Sequence, residues 1–123
     1  MGVSRKEIAL AFLNNIIAGK FDEAYALVSP TFRHHNPYFQ GDAESLRKGM
    51  EENEAQHPNK TFEPKHVLVD GDFVAVHSRL QFDLNTPEMA VLHLFRFEGN
   101  QIAELWDVGQ QAPQEMRNSN GMF

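Results

Sequence analysis

An imidazole and a carboxylate stand in the middle of two otherwise apolar runs in VLHLFRFEGNQIAELWDVG, residues 91–109. His93 and Asp107 carry the chemistry of this stretch. Aspartate is depleted in strands, and burying a carboxylate without a partner is costly. A mid-strand aspartate therefore reaches solvent, holds a partner, or works. If His93 and Asp107 share an apolar pocket, they have the parts for proton transfer next to a carbonyl. The carboxylate takes the proton, and the imidazole hydrogen-bonds or protonates the oxygen where charge develops. The alternative is structural, with His93 a satisfied core histidine and Asp107 an acceptor for backbone or Trp106 N–H groups. Spacing alone leaves both readings open.

Register decides whether the two meet. A two-residue turn at Gly99-Asn100 pairs Phe97 with Ile102. Continued without a break, that register sets His93 against Trp106 and turns Asp107 to the other face. A three-residue turn, or one bulge, sets His93 directly against Asp107. The sequence permits either.

Further polar candidates lie elsewhere. RHHNPY places His35, Asn36 and Tyr38 in a loop, where binding groups often sit, while the neighbouring His34 is expected in solvent. His77 shares a strand face with Phe73, Ala75, Arg79 and Gln81, the wetter side of its strand, and fits either pocket or plain surface. No H-x-x-x-H or similar spacing supports a metal, no G-x-S-x-G supports a serine nucleophile, and no Gly-rich loop supports phosphate binding.

The elements that must position these groups follow from periodicity. Ser4 to Ala18 predicts a helix: Ile8, Phe12, Leu13, Ile16 and Ile17 share a face, Ser4 and Glu7 form a capping box, and Gly19 fits the stop. A short second helix is expected from the Asp22 cap to Pro30, then a loop through TFRHHNPYFQG. A third helix, thinly apolar, runs from near Asp42 through AESLRKGMEENEA to the break at QHPNK. Four strands follow, TFEPKHVLV, DFVAVHSRLQFDL, EMAVLHLFRFE and QIAELWDVGQQ, with hairpin turns at Asp70-Gly71 and Gly99-Asn100. Helices followed by a run of antiparallel strands mean α+β, with the helices on one face of a curved sheet. In EMAVLHLFRFE both faces are apolar at the centre. The helices cover one, so a homodimer through the other is expected.

Bulk properties bound the function. The 123 residues suffice for one core, and residues 1–123 are read as one domain. A net charge of −6 argues against nucleic acid, which asks for a basic surface. No apolar run approaches a membrane span, MGVSRKEIALAF lacks the features of a signal peptide, and Gly2 is without the Ser or Thr at position 6 that myristoylation favours. The absence of cysteine removes disulfides, thiol nucleophiles and Cys-rich zinc sites, and suits the cytoplasm.

The segments HHNPYFQG, HVLVDGDFVAVHSRL, LFRFEGNQIAELWDVGQ and NSNGMF together resemble the SnoaL-like polyketide cyclases, within the nuclear transport factor 2-like superfamily. The resemblance spans nearly the whole chain and implies a cone-shaped curved antiparallel sheet wrapped around about three N-terminal helices. It also implies that His93 and Asp107 act together in an intramolecular aldol closure, with Asp107 as general acid/base. The family's loop motif corresponds to His35, Asn36 and Pro37, and its strand histidine to His77. The chain departs from many relatives at Leu105, where they carry histidine, and at His93, where they carry aspartate.

The expected protein is thus a cofactor-free enzyme, cyclase- or isomerase-like, acting on a small hydrophobic carbonyl compound. Asp107 is its base, His93 the partner at the oxygen, and Trp106, Phe95 and Tyr38 help shape the pocket. The alternative is a non-catalytic small-molecule binding domain of the same fold. A third option is a dehydratase or hydrolase with His35 or His77 as the base.

Overall fold

Ser4 starts the first helix as predicted: its hydroxyl accepts from the Glu7 N–H at 3.2 Å and donates to the Glu7 carboxylate at 3.1 Å. In the computed structural model, which describes residues 3–123, the chain forms α1 (Arg5–Ile17), α2 (Phe21–Tyr25), β1 (Val28–His34), α3 (Ala43–Gln56), β2 (Thr61–Asp70), β3 (Phe73–Gln81), β4 (Met89–Glu98) and β5 (Gln101–Gln111). Met1 and Gly2, the site weighed for myristoylation, lie outside the described residues. No described helix is long and apolar enough to cross a membrane.

The five strands make one sheet in the order β1-β5-β4-β3-β2. β1 corrects the sequence reading. The second helix stops at Tyr25, and Val28–His34, read as helix end and loop, pairs in parallel with β5. Pro30 is tolerated because β1 is an edge strand, broken by an irregularity between Val28 and Arg33. The Ile102 N–H donates to Leu27 O and the His35 N–H to Leu105 O, both at 2.9 Å, which fixes the edge on either side. α2 also starts two residues earlier than expected: Lys20 is at its N-cap position without a side-chain cap, and Asp22 lies in its first turn.

The β2–β3 turn is Gly71-Asp72 rather than Asp70-Gly71, and the β4–β5 turn is Gly99-Asn100. Each places glycine first, at φ +58° and +59°, a conformation that a side chain resists.

The register question is answered inside β5. Glu98 pairs with Gln101 and Phe97 with Ile102, as a two-residue turn requires. Arg96 then pairs with Glu104, leaving Ala103 as a bulge. Beyond it Phe95 faces Leu105, Leu94 faces Trp106, and His93 faces Asp107. One extra residue thus carries both side chains to the same face.

That face is the inner one. Val74, Val76, Phe95, Phe97, Ile102 and Leu105 are buried there against Ile8, Phe12, Leu13 and Ile16 of α1. Phe12 meets Phe95 edge-on at 5.9 Å and Tyr25 at 5.5 Å. Each such large side chain removed from water contributes roughly 1.5–3 kcal/mol. Burial pushes the Tyr25 hydroxyl's pKa upward, and the hydroxyl rests 3.3 Å from Met50 Sδ. The helices close one end of this α+β cone and leave a cavity at the other.

Candidate active site

The cavity has a volume of about 230 Å³. Leu13, Ile16 and Ile17 of α1, Leu46 and Met50 of α3, and Phe62, Leu80 and Phe82 make its apolar wall. Phe39 closes one side and rests on Gly49 of α3, where any Cβ would collide with the ring. Asp107, His93, Asn36, Asn53 and Lys60 are the polar groups in this lining.

Asp107 is held from the loop after β1. Three contacts set the orientation of Asn36 in that loop. Its N–H donates to His34 Nδ1 at 3.1 Å, and its Oδ1 accepts from the Tyr38 N–H at 2.9 Å. With the amide oxygen occupied by a backbone donor, Nδ2 is left to donate to Asp107 Oδ2, at 3.1 Å. Among the described residues nothing donates to the second carboxylate oxygen, Oδ1. Asp107 is therefore anchored through one oxygen and free to act through the other.

His93 is deep in the protein, and what exposure it keeps is toward the cavity. Among the described residues its Nδ1 is buried without a hydrogen-bond partner. Burial lowers its pKa to about 4, against the opposing pull of the Asp107 charge. The imidazole is thus neutral at pH 7, with one N–H to give and one lone pair to offer. Phe62 at 6.4 Å and Phe95 at 6.3 Å flank its ring. A neutral donor beside an anchored carboxylate, in an apolar chamber, is an arrangement suited to an oxygen that gains charge as a neighbouring proton leaves.

The structure brings together Asp107, His93 and Asn36 and separates the other candidates from them. Phe95 is fully buried, packed beside His93 and outside the cavity lining. Tyr38 is 86% exposed, and its neighbour Phe39 lines the cavity instead. Trp106 lies on the outer sheet face, because the bulge that turns Asp107 inward turns Trp106 out. His35 stacks on it at 4.8 Å, with Nε2 2.5 Å from Glu104. His77 is also on the outer face, its Nδ1 3.1 Å from His66 Nδ1. Neither His35 nor His77 can therefore serve as a base in this cavity, which removes the third option. His34, expected in solvent, is buried and bonds Gln40 O through Nε2.

Lys60, Asn53 and Phe39 were missed from the sequence. Lys60 sits in QHPNK, which reads as a polar helix stop, and nothing local distinguishes a lysine folded inward from a solvated one. The α3–β2 connection returns it to the cavity wall, where its side chain is 4% exposed.

A curved sheet around N-terminal helices, with an apolar cavity holding an aspartate and a histidine from adjacent strands, defines a cone-shaped α+β fold. The SnoaL-like domain profile matches residues 9–105, and the chain belongs to that family. Solved structures share the fold at low identity. A SnoaL-like polyketide cyclase from Agrobacterium tumefaciens str. C58 is 18% identical, over 89% of this chain and 93% of that one, with a TM-score of 0.73. An NTF2-like protein of unknown function from Cytophaga hutchinsonii ATCC 33406 is 15% identical over the same shares, also at 0.73. A cystatin-fold protein from Novosphingobium aromaticivorans is 20% identical, over 87% and 99%, again at 0.73. No curated protein matches the chain.

Proposed function

We propose that the cavity is the active site of a cofactor-free enzyme that removes a proton next to the carbonyl of a small, largely apolar substrate. The reading rests on one observation: Asp107, anchored by Asn36 through one oxygen, stands opposite the neutral His93 in an apolar chamber. Asp107 takes the α-proton on its free oxygen. The C–H electron pair moves into the carbonyl, forming an enolate. The His93 N–H hydrogen-bonds the oxygen that gains charge, and as a neutral donor it needs no imidazolium at pH 7. The enolate then attacks a second carbonyl in the same molecule and Asp107 returns its proton to the alkoxide formed, an aldol cyclisation; or, in a β,γ-unsaturated substrate, the dienolate regains the proton from Asp107 at the γ-carbon, an isomerisation. The description of the Agrobacterium relative as a polyketide cyclase supports the first outcome.

Asp107→Asn is the test. The amide keeps the shape and the Asn36 contact but accepts no proton. Turnover, or deuterium exchange next to a ligand's carbonyl, is expected to fall by roughly 10²–10⁴-fold with ligand affinity kept. Exchange unchanged in this variant removes Asp107 as the base, and ligand binding without catalysed exchange in the parent leaves a binding domain.

A second copy of the chain is the partner that this reading includes. On the outer face Leu92 and Val108 are a registered pair, 42% and 66% exposed, next to Leu94, Ala75, Phe73 and the 69% exposed Leu68. This apolar surface crosses four strands and suits a two-fold pairing of like faces. Light scattering is expected to give twice the 14.0 kDa chain mass, and Val108→Glu to return it to one. A wild-type monomer at micromolar concentration would sink the pairing.

A further inference from the structure

The cavity carries a second polar group, apart from Asp107 and His93. Lys60 leads into β2, while His93 and Asp107 lie on β4 and β5, so β3 intervenes in the sheet. Between them the lining is apolar, with Phe62, Leu80 and Phe82. An ammonium has three N–H donors. For Lys60, Asn53 Oδ1 takes one at 2.6 Å, and Glu54 Oε2 lies 3.0 Å away as the counter-charge. Glu54 Oε2 is buried without a hydrogen bond, so Asn53 Oδ1 is the one acceptor the ammonium meets among the described residues, and the amide group Nδ2 of Asn53 has no acceptor either. Lys60 and Asn53 line the cavity and Glu54 does not. This part of the wall therefore presents donors without acceptors, with its charge balanced from behind.

We propose that Lys60 and Asn53 bind an acceptor oxygen of the ligand, a carboxylate or a second carbonyl, separate from the carbonyl that reacts at Asp107. The proposal rests on the cavity being the substrate site, and it narrows the substrate class to apolar carbonyl compounds that carry a further acceptor oxygen. Keeping a lysine at 4% exposure has a desolvation cost that an apolar side chain would avoid. A ligand oxygen that satisfies one of its free donors offsets part of that cost. A donor-only ligand finds no acceptor at this wall.

Four probes of similar size test it by calorimetric titration of the whole protein. Hydrocinnamate carries a carboxylate, benzylacetone a neutral carbonyl, butylbenzene no polar group, and phenethylammonium only donors. The first two are expected to bind roughly tenfold or more tighter than butylbenzene; phenethylammonium, which can pair with the free oxygen of Asp107, is compared with them in Asp107→Asn, where it should bind more weakly than either. Comparing hydrocinnamate with benzylacetone tells carboxylate from carbonyl preference. Lys60→Met should bring the acceptor probes down to butylbenzene, whose affinity stays. Equal binding of all probes, or a preference that survives Lys60→Met, overturns the proposal. Because Lys60→Met strands the Glu54 charge, the same ratios are read in Lys60→Met with Glu54→Gln, which leaves neither charge behind. Glu54→Gln alone keeps Lys60 and removes its counter-charge, so hydrocinnamate should gain several-fold over benzylacetone; an unchanged ratio counts against the proposal. Asp107→Asn separates the two readings. An acceptor preference kept alongside unchanged exchange overturns the base and leaves the Lys60 pole standing. Exchange lost in Asp107→Asn without any acceptor preference does the reverse.

Discussion

β5 presents a carboxylate to each side of the sheet, and each faces a histidine. Inside, Asp107 stands opposite His93; outside, Glu104 stands beside His35. The residue types match, yet the states differ. Glu104 accepts from Arg33 Nε at 3.0 Å and Arg96 Nε at 2.9 Å, with His35 Nε2 2.5 Å away, and these partners, led by Arg33, lower its pKa to about 2. It is closed off by its partners, and its hydrogen-bonding capacity is spent. Asp107 has one anchor and one free oxygen, and lines the cavity together with His93. A saturated pair holds structure, whereas an unsaturated pair in a cavity leaves bonding capacity for a ligand.

The sharpest way to break this contrast is to strip Glu104 of its arginines. Arg33→Met combined with Arg96→Met leaves a carboxylate that is 5% exposed without a cationic side chain against it. A buried charge stripped of partners is expected to cost about 3–5 kcal/mol, a large part of a small domain's stability. Urea titration followed by circular dichroism measures it. A double variant as stable as the parent would mean that the outer pair does not hold the sheet.

Acid separates the two pairs next. His93 has a folded pKa of about 4 against an ordinary 6.5. Between these values the unfolded chain binds the proton and the folded chain refuses it. Its contribution is therefore fully present above pH 6.5, falls as pH drops toward 4, and changes no further below. The full window is worth about 3 kcal/mol. Glu104 runs in a lower window: depressed from 4.5 to about 2, it stabilises above pH 4.5 and loses that contribution as pH falls through 2. Stability should thus decline in two stages, and His93→Leu should flatten the first while leaving the second. A variant that keeps the slope between pH 6.5 and 4 would show that His93 is not the group responsible.

Much of this arrangement is legible in the sequence. The capped α1, the four later strands and the Gly99-Asn100 turn follow from periodicity and local chemistry, while the β2–β3 turn falls one residue later than read. β1 does not, because VSPTFRH contains a proline and pairs with a strand some seventy residues away. Asp107 and His93 stand out as polar residues in apolar runs, yet their meeting depends on Ala103, which no local signal marks as a bulge. Trp106, His35, Tyr38 and His77 have the right types for a pocket and the wrong faces. Lys60 has an ordinary type in an ordinary loop, and only the folded chain brings it to the cavity.

The smallest expected effect refines the contrast from the outer side. Glu104→Gln keeps the volume and removes the charge that Arg33 and Arg96 face. Arg33 is 65% exposed, so solvent takes over part of what the carboxylate supplied, and the expected loss at pH 7 is about 1–2 kcal/mol. Because protonation of Glu104 removes the same charge in the parent, the two proteins should converge as pH falls from 4.5 toward 2. The His93 window between pH 6.5 and 4 should stay in both. Deuterium exchange next to a ligand's carbonyl should also be unchanged, since nothing in the outer network enters the cavity. An exchange rate that falls with Glu104→Gln at equal folded fraction would couple the two faces and dissolve the distinction between a pair that holds the sheet and a pair that is free to act.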